Sequence, residues 1–281
     1  MPSGFSISTD FLRPQGAVTP AAAPAGAPMG NVLNDLPGPW YEEILAQLHA
    51  YFQPASYFEI GIDTGTTLAL GNCRTVAVDP AYTISDPDVV AQVLAKPAIS
   101  LFRMRSDDFF GNYDLTALLG GKIDMAFLDG MHRCEFLLRD FINTERHCKR
   151  NSIVVLHDCL PVEEAITYRA LPDTLETPMP TQRPHRHNWW AGDVWRAALL
   201  LKRVRPDLHM VALDAAPTGL IMITNLNPDD RILDDNYTRH VTTMMSWTLA
   251  DIGLEALFAE MKVEPTAQFM REDKLTAHFW L

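Results

Sequence analysis

Five short apolar runs recur along the first two thirds of this chain, and the stretches between them carry helical spacing. The runs are "SYFEIGI" from Ser56, "TVAVD" from Thr75, "ISLFRM" from Ile99, "IDMAFLD" from Ile123 and "SIVVLHD" from Ser152. Each is short and mostly apolar, the pattern of a strand buried on both faces of a parallel sheet. Helices are expected from Trp40 to Tyr51, where Ile44, Leu45 and Leu48 share a face and Pro54 follows, and over Pro87–Lys96, Asp107–Leu119 and Glu135–Cys148. Strand and helix in strict alternation predict a doubly wound α/β sheet with helices on both faces.

The alternation stops at a proline-bearing loop from Leu160 to about Asn188, then resumes with the helix "GDVWRAALLLKRVRPDL", where Asp193 would be a cap or first-turn acid. "HMVALD" and "GLIMITNL" follow with only "AAPT" between them, too little for a crossover helix, so they should pair antiparallel. This makes a mostly parallel sheet of about seven strands closed by an antiparallel hairpin. Residues 1–35, rich in Ala and Pro, read as a flexible arm, 36–226 as the domain, and 227–281 as a helical extension centred on "HVTTMMSWTLADIGLEALFAEM". Met244, Met245 and Trp247 of that extension could cover the chain's own core or a partner subunit in a homo-oligomer.

A net charge of -12 and a pI near 5.1 argue against nucleic acid or an anionic membrane as partner and favour a small molecule. No apolar stretch reaches the roughly 18 residues that span a bilayer. Cys73, Cys134, Cys148 and Cys159 show no paired spacing. With no basic-then-apolar leader pattern, a reducing cytoplasmic setting is expected.

In open parallel sheets ligands bind beyond the carboxyl ends of the strands. The first run ends in "FEIGIDTGTT", an E-x-G-x-x-x-G turn through Glu59, Gly61 and Gly65, and Asp79 ends the second, where a carboxylate can accept both hydroxyls of a ribose. Asp63, Thr64, Thr66 and Thr67 occupy the turn where a dinucleotide would want bare amides, so a cofactor with an amino-acid end is favoured. Ser106 and Asp107 after the third run could bond an adenine edge, or Ser106 could cap the next helix. The fourth run ends at Asp129, with His132 three residues on, and the fifth at His157, Asp158 and Cys159.

On these residues the stretch from about Trp40 to Leu226 resembles the Rossmann-like class I S-adenosylmethionine-dependent methyltransferases, in particular the catechol-type and macrocin-type O-methyltransferases. The resemblance implies S-adenosylmethionine as cofactor and a small-molecule hydroxyl as acceptor. It implies that the glycine turn holds the methionine part and Asp79 the ribose; Glu59, Gly61, Gly65, Ser106, Asp107 and Asp129 are the residues expected on the cofactor side. It also implies Asp129 and Asp158 as ligands of Mg2+ or another divalent cation, with His132 in the place of the base. His157 could be a ligand or base instead. Cys159 departs from the family pattern, standing where an Asn ligand is expected. His185, His187, Trp189 and Trp190 could form a substrate lid, or the tryptophans could anchor the helix that follows. Two rivals remain at this level: a cofactor-binding module without turnover, and a nicotinamide-dependent oxidoreductase, which lacks its G-x-G-x-x-G here.

Overall fold

The computed structural model describes residues 32–169, 179 and 181–280. The five apolar runs form β1 (Ser56–Ile60), β2 (Arg74–Val78), β3 (Ile99–Phe102), β4 (Ile123–Leu128) and β5 (Cys148–His157), and the closing hairpin forms β6 (His209–Leu213) and β7 (Leu220–Thr224). Their order is β3-β2-β1-β4-β5-β7-β6, with β1 to β5 mutually parallel and β7 antiparallel to both β5 and β6. β1 and β4 are neighbours, so the switch in strand order falls where Gly61 and Asp129 leave the sheet.

Helices α1 (Tyr41–Phe52) and α2 (Pro87–Leu94) lie on one face, and Ile44, Leu48 and Val93 pack there against Tyr57, Ala77 and Phe127. α3 (Ser106–Asn112), α4 (Leu115–Leu119), α5 (Cys134–Glu145) and α6 (Trp195–Val204) build the opposite core around Phe58, Phe109, Phe141 and Trp195. The extension folds as α7 (Ile232–Asp235), α8 (Tyr237–Met245), α9 (Leu249–Ile252), α10 (Leu254–Met261), α11 (Thr266–Phe269) and α12 (Glu272–His278). Its segments divide between the two faces: Met244 and Leu257 are buried in the second core, Phe269 and Leu275 in the first. Met244 and Trp247 thus pack on their own domain, while Met245 is exposed.

Several expected elements differ in extent. The helix expected over Asp107–Leu119 is two, because Tyr113 is extended and the Asp114 carboxylate caps a new start by accepting from Ala117 N–H at 3.2 Å. Cys148 belongs to β5 and pairs with Ile123, so α5 stops at Glu145 and the strand begins four residues before Ser152. The long tail helix breaks after Met245, where Thr248 caps α9, and again at Gly253, whose φ of +81° is left-handed. Asp193 caps nothing in α6; it is buried, accepts from Cys134 N–H and pairs with Arg169 and Arg196.

Of the arm expected over residues 1–35, residues 1–31 lie outside the described residues, as do 170–178 and 180 of the long loop. Residues 32–35 lie against that loop, with Leu33 N–H donating to the Val162 carbonyl at 2.8 Å. Among the described residues no helix is long and apolar enough to cross a membrane.

Candidate active site

Gly61 sets the geometry of the strand ends. Its φ is +92°, and a Cβ there would lie 1.9 Å from the Asp129 carbonyl oxygen, so only glycine lets the β1 exit pass under the β4 tip. The turn beyond it is held by Asp79, whose carboxylate accepts from the backbone N–H groups of Ile62 (2.8 Å), Asp63 (3.0 Å) and Ala81 (2.6 Å). Asp79 is only partly buried, and although Oδ2 accepts two of these bonds, Oδ1 accepts one and keeps a lone pair for a ligand. Gly65, also left-handed, closes the turn with its N–H on the Ile62 carbonyl.

Glu59 is sealed beneath this turn at 0% exposure. Tyr57 and Thr67 hydroxyls donate to its two oxygens at 2.7 and 2.8 Å, and burial outweighs these bonds to push the carboxyl up to about 7. In this arrangement Glu59 ties strand to turn and presents no oxygen to a ligand. At the β3 tip Arg105, not Ser106, precedes the helix. Ser106 bonds the buried Asp140, and Asp107 pairs with Arg139 at 2.6 Å, so two consecutive residues of α5 hold the start of α3.

The tips of β4 and β5 converge on one cluster. Asp129 Oδ1 lies 3.1 Å from His132 Nε2, and Asp129 Oδ2 accepts from His157 Nδ1 at 3.1 Å. His132 Nδ1 lies 3.1 Å from Asp158 Oδ2 and donates to the Trp190 carbonyl at 2.8 Å. The Thr218 hydroxyl donates to Asp158 Oδ1. His132 and Asp158 both adopt left-handed backbone, with φ of 51° and 60°. Aromatic rings shield the imidazoles: Trp190 stacks on His132 at 4.9 Å and Tyr41, from α1, lies 4.0 Å from His157. His157 Nε2 is buried without a partner among the described residues, beside a small cleft lined by Leu128, Gly130, Met131, Leu137, Asp140 and Val194. Cys159 is fully buried, its thiol donates to the His157 carbonyl, and burial pushes it far from the thiolate form.

Electrostatics follow from this packing. Burial opposes a charge on His132, yet the Asp158 and Asp129 carboxylates outweigh it and raise the ring to about 9. Burial would raise Asp129, but His157 and His132 hold it well below the usual carboxylate range. His157 is raised as well, burial again being outweighed by Asp158 and Asp129. Because His132 gains protons on folding relative to its ordinary 6.5, the stabilisation is complete below pH 6.5 and is lost as pH rises through 9. Unfolding free energy should therefore fall by roughly 2–3 kcal/mol across that window, and His132→Gln should flatten most of the slope in urea titrations run at stepped pH. Burial pushes Glu59 and Asp140 to about 7, and their losses are largely over by then, so the part above pH 7 belongs to the imidazoles.

The four lid candidates separate. Trp190 reaches the cluster, and its Nε1–H donates to the Tyr168 carbonyl. His185 bonds Asp35 at 2.9 Å and meets Trp189 edge-on, away from the cluster, while the His187 carbonyl accepts from Met179 N–H. Sequence reasoning passed over Tyr41, Thr218 and Arg186. The first two carry no motif, and Arg186 stood in plain view inside "RPHRHNWW" without a pattern to mark it as buried.

Residues 58–159 match the family model described as a methyltransferase domain. No curated protein sequence matches this chain. Among solved structures it is similar to the O-methyltransferase TomG from Streptomyces achromogenes, involved in tomaymycin synthesis and bound to SAM (14% identity, 66% of this chain and 79% of that one, TM-score 0.45). It is also similar to an O-methyltransferase from Bacillus cereus with SAH (12%, 65% and 78%, 0.42) and to cofactor-bound Rv0187 from MTB (13%, 66% and 80%, 0.44). The matched span runs from inside β1 to the residue after Asp158, so the stretch that is similar to a methyltransferase domain holds both strand-end turns of a seven-stranded Rossmann-like sheet.

Proposed function

We propose that this chain is an S-adenosylmethionine-dependent O-methyltransferase acting on a hydroxyl of a small molecule. The observation that carries the reading is the methyltransferase-domain match over a span whose strand ends hold both the Gly61–Asp79 turn and the Asp129–His132–His157–Asp158 cluster. The cofactor, when bound, supplies a methyl group already activated on a sulfonium. The residues fit it. Asp79 is partly exposed with an Oδ1 lone pair uncommitted, and the turn it holds lies at the switch point where such ligands bind. Glu59 acts by fixing that turn from below rather than by contact.

The rest is alignment and proton management by this chain's own groups. Asp129 orients both imidazoles, through His132 Nε2 and His157 Nδ1. His132 has both nitrogens committed to oxygen acceptors, so His157, whose Nε2 is unpartnered, is the ring that can take the hydroxyl proton. Trp190 and Tyr41 each cover one face of a ring, Trp190 that of His132 and Tyr41 that of His157. A divalent cation is a poor fit, because the oxygens of Asp129 and Asp158 already face N–H and O–H donors and Cys159 is a buried thiol. No step is assigned to one.

Calorimetry tests the cofactor claim without an acceptor. S-adenosylhomocysteine and S-adenosylmethionine should both bind one per chain, and Asp79→Ala, which frees three backbone amides, should weaken binding by about tenfold or more. Failure of both ligands to bind the wild-type chain sinks the reading.

A further inference from the structure

Every carboxylate oxygen of the two acids at the strand tips already faces a donor. Asp129 Oδ1 and Oδ2 face His132 Nε2 and His157 Nδ1, each at 3.1 Å, while Asp158 Oδ2 faces His132 Nδ1 at 3.1 Å and Oδ1 accepts the Thr218 hydroxyl. Ligating groups of Asp129, His132 and Asp158 do lie within 4.8 Å of one another, the spacing of a metal site. What fills the space between the carboxylates, however, is the imidazole itself, with one nitrogen toward each acid. A carbonyl oxygen can only accept, so the 2.8 Å contact with Trp190 requires a proton on Nδ1, and a carboxylate at Nε2 asks for a second.

The ring is also held from behind. Asp193 N–H donates to the His132 carbonyl at 3.1 Å, and a Cβ at Gly192 would lie 1.9 Å from that same oxygen, so the 190–193 strap sits directly on the His132 turn. Trp190 stacks flat on the imidazole at 22°. For the ring to leave, a strap with no spare room would have to lift.

We propose that the His132 side chain is this site's own cation, bridging Asp129 and Asp158 where the catechol-type resemblance places a divalent metal, so that the site works without one. His132 is then a positioning residue: it fixes the two carboxylates and, through Asp129, the orientation of His157. An acceptor held by this cluster is not chelated, and a single hydroxyl suffices where a metal would favour two adjacent oxygens. This concerns the acids and stands apart from the cofactor reading, because metal binding is measured with no cofactor present.

The experiment is a Mn2+ titration of the full chain after treatment with EDTA, read by the electron paramagnetic resonance of free Mn2+. The wild-type chain should hold no ion at this site up to on the order of 1 mM. His132→Ala uncovers two facing carboxylates and should bind one Mn2+ at least about tenfold more tightly than wild type, a gain abolished by adding Asp158→Asn. His132→Gln, which keeps more volume, should show a smaller gain in the same direction. A wild-type chain that binds one Mn2+ at micromolar concentration, and loses it in Asp129→Asn, overturns the proposal whatever the variants do. Weak wild-type binding unchanged by Asp129→Asn lies at other acids and leaves it standing. Failure of both folded His132 variants to gain affinity also overturns it, and if neither folds the wild-type titration decides alone.

Discussion

Gly61→Ala is expected to cost roughly 3–5 kcal/mol of stability and to remove S-adenosylhomocysteine binding altogether. The added methyl would meet the Asp129 carbonyl oxygen at 1.9 Å and its carbon at 2.6 Å, both backbone atoms of the neighbouring strand, while the φ of +92° strains any residue with a Cβ. Relief requires parting β1 from β4 at the switch point, which moves the cofactor turn and the Asp129 cluster together. Two other glycines calibrate the result. Gly65→Ala, with a φ of +82°, meets only the side chains of Ile84 and Val89 at 3.0–3.2 Å, so its cost should be about 1–2 kcal/mol, mostly backbone strain. Gly111, inside α3 with nothing within 4 Å, should gain up to about 1 kcal/mol as Ala. Urea midpoints of the three variants give the order, and a Gly61→Ala chain as stable as Gly65→Ala would contradict the close approach.

The strands were legible because each is a local pattern: five runs buried on both faces announce a parallel sheet, and four residues between two more leave no route but a hairpin. The ends of elements were not, since they depend on single contacts. Asp114 starts α4 through one bond to Ala117, and nothing in "DDFFGNYDLTALL" distinguishes that from an uninterrupted helix. The site was legible as a set of positions at strand tips, because topology alone brings them together. The state of each group was not. Glu59 is engaged by Tyr57 and Thr67, and His132 by Trp190, a residue 58 positions away; such pairings are set by the folded loop. Arg186 is the extreme case, a charged residue at 0% exposure whose partners come from two stretches far from each other in sequence.

Arg186→Met is accordingly the second large effect expected, about 3–5 kcal/mol. The guanidinium donates to Asp35 Oδ1 at 2.8 Å, to the Leu33 carbonyl at 2.7 Å and to Glu163 Oε2 at 3.1 Å, which joins residues 33–35 to the loop after β5. Removing it leaves Glu163, only 2% exposed, as a buried charge without its counterion. Much of the cost is that stranded charge, so Arg186→Met with Glu163→Gln should recover a good part of the loss. Arg186→Lys should recover less, since an ammonium cannot span acceptors arranged for a planar fork. The consequence reaches the cluster because the same loop carries the strap: Trp189 N–H donates to the Arg186 carbonyl, and the next residue supplies the carbonyl that holds His132 Nδ1. Loosening Arg186 should therefore weaken the anchoring of His132, and the pH-dependent part of stability above pH 7 should shrink in Arg186→Met as well as in His132→Gln. A double-mutant cycle between the two measures that link. A coupling of roughly 0.5 kcal/mol or more marks the strap as the connection, whereas additive losses would mean that Arg186 secures the N-terminal segment and nothing beyond it.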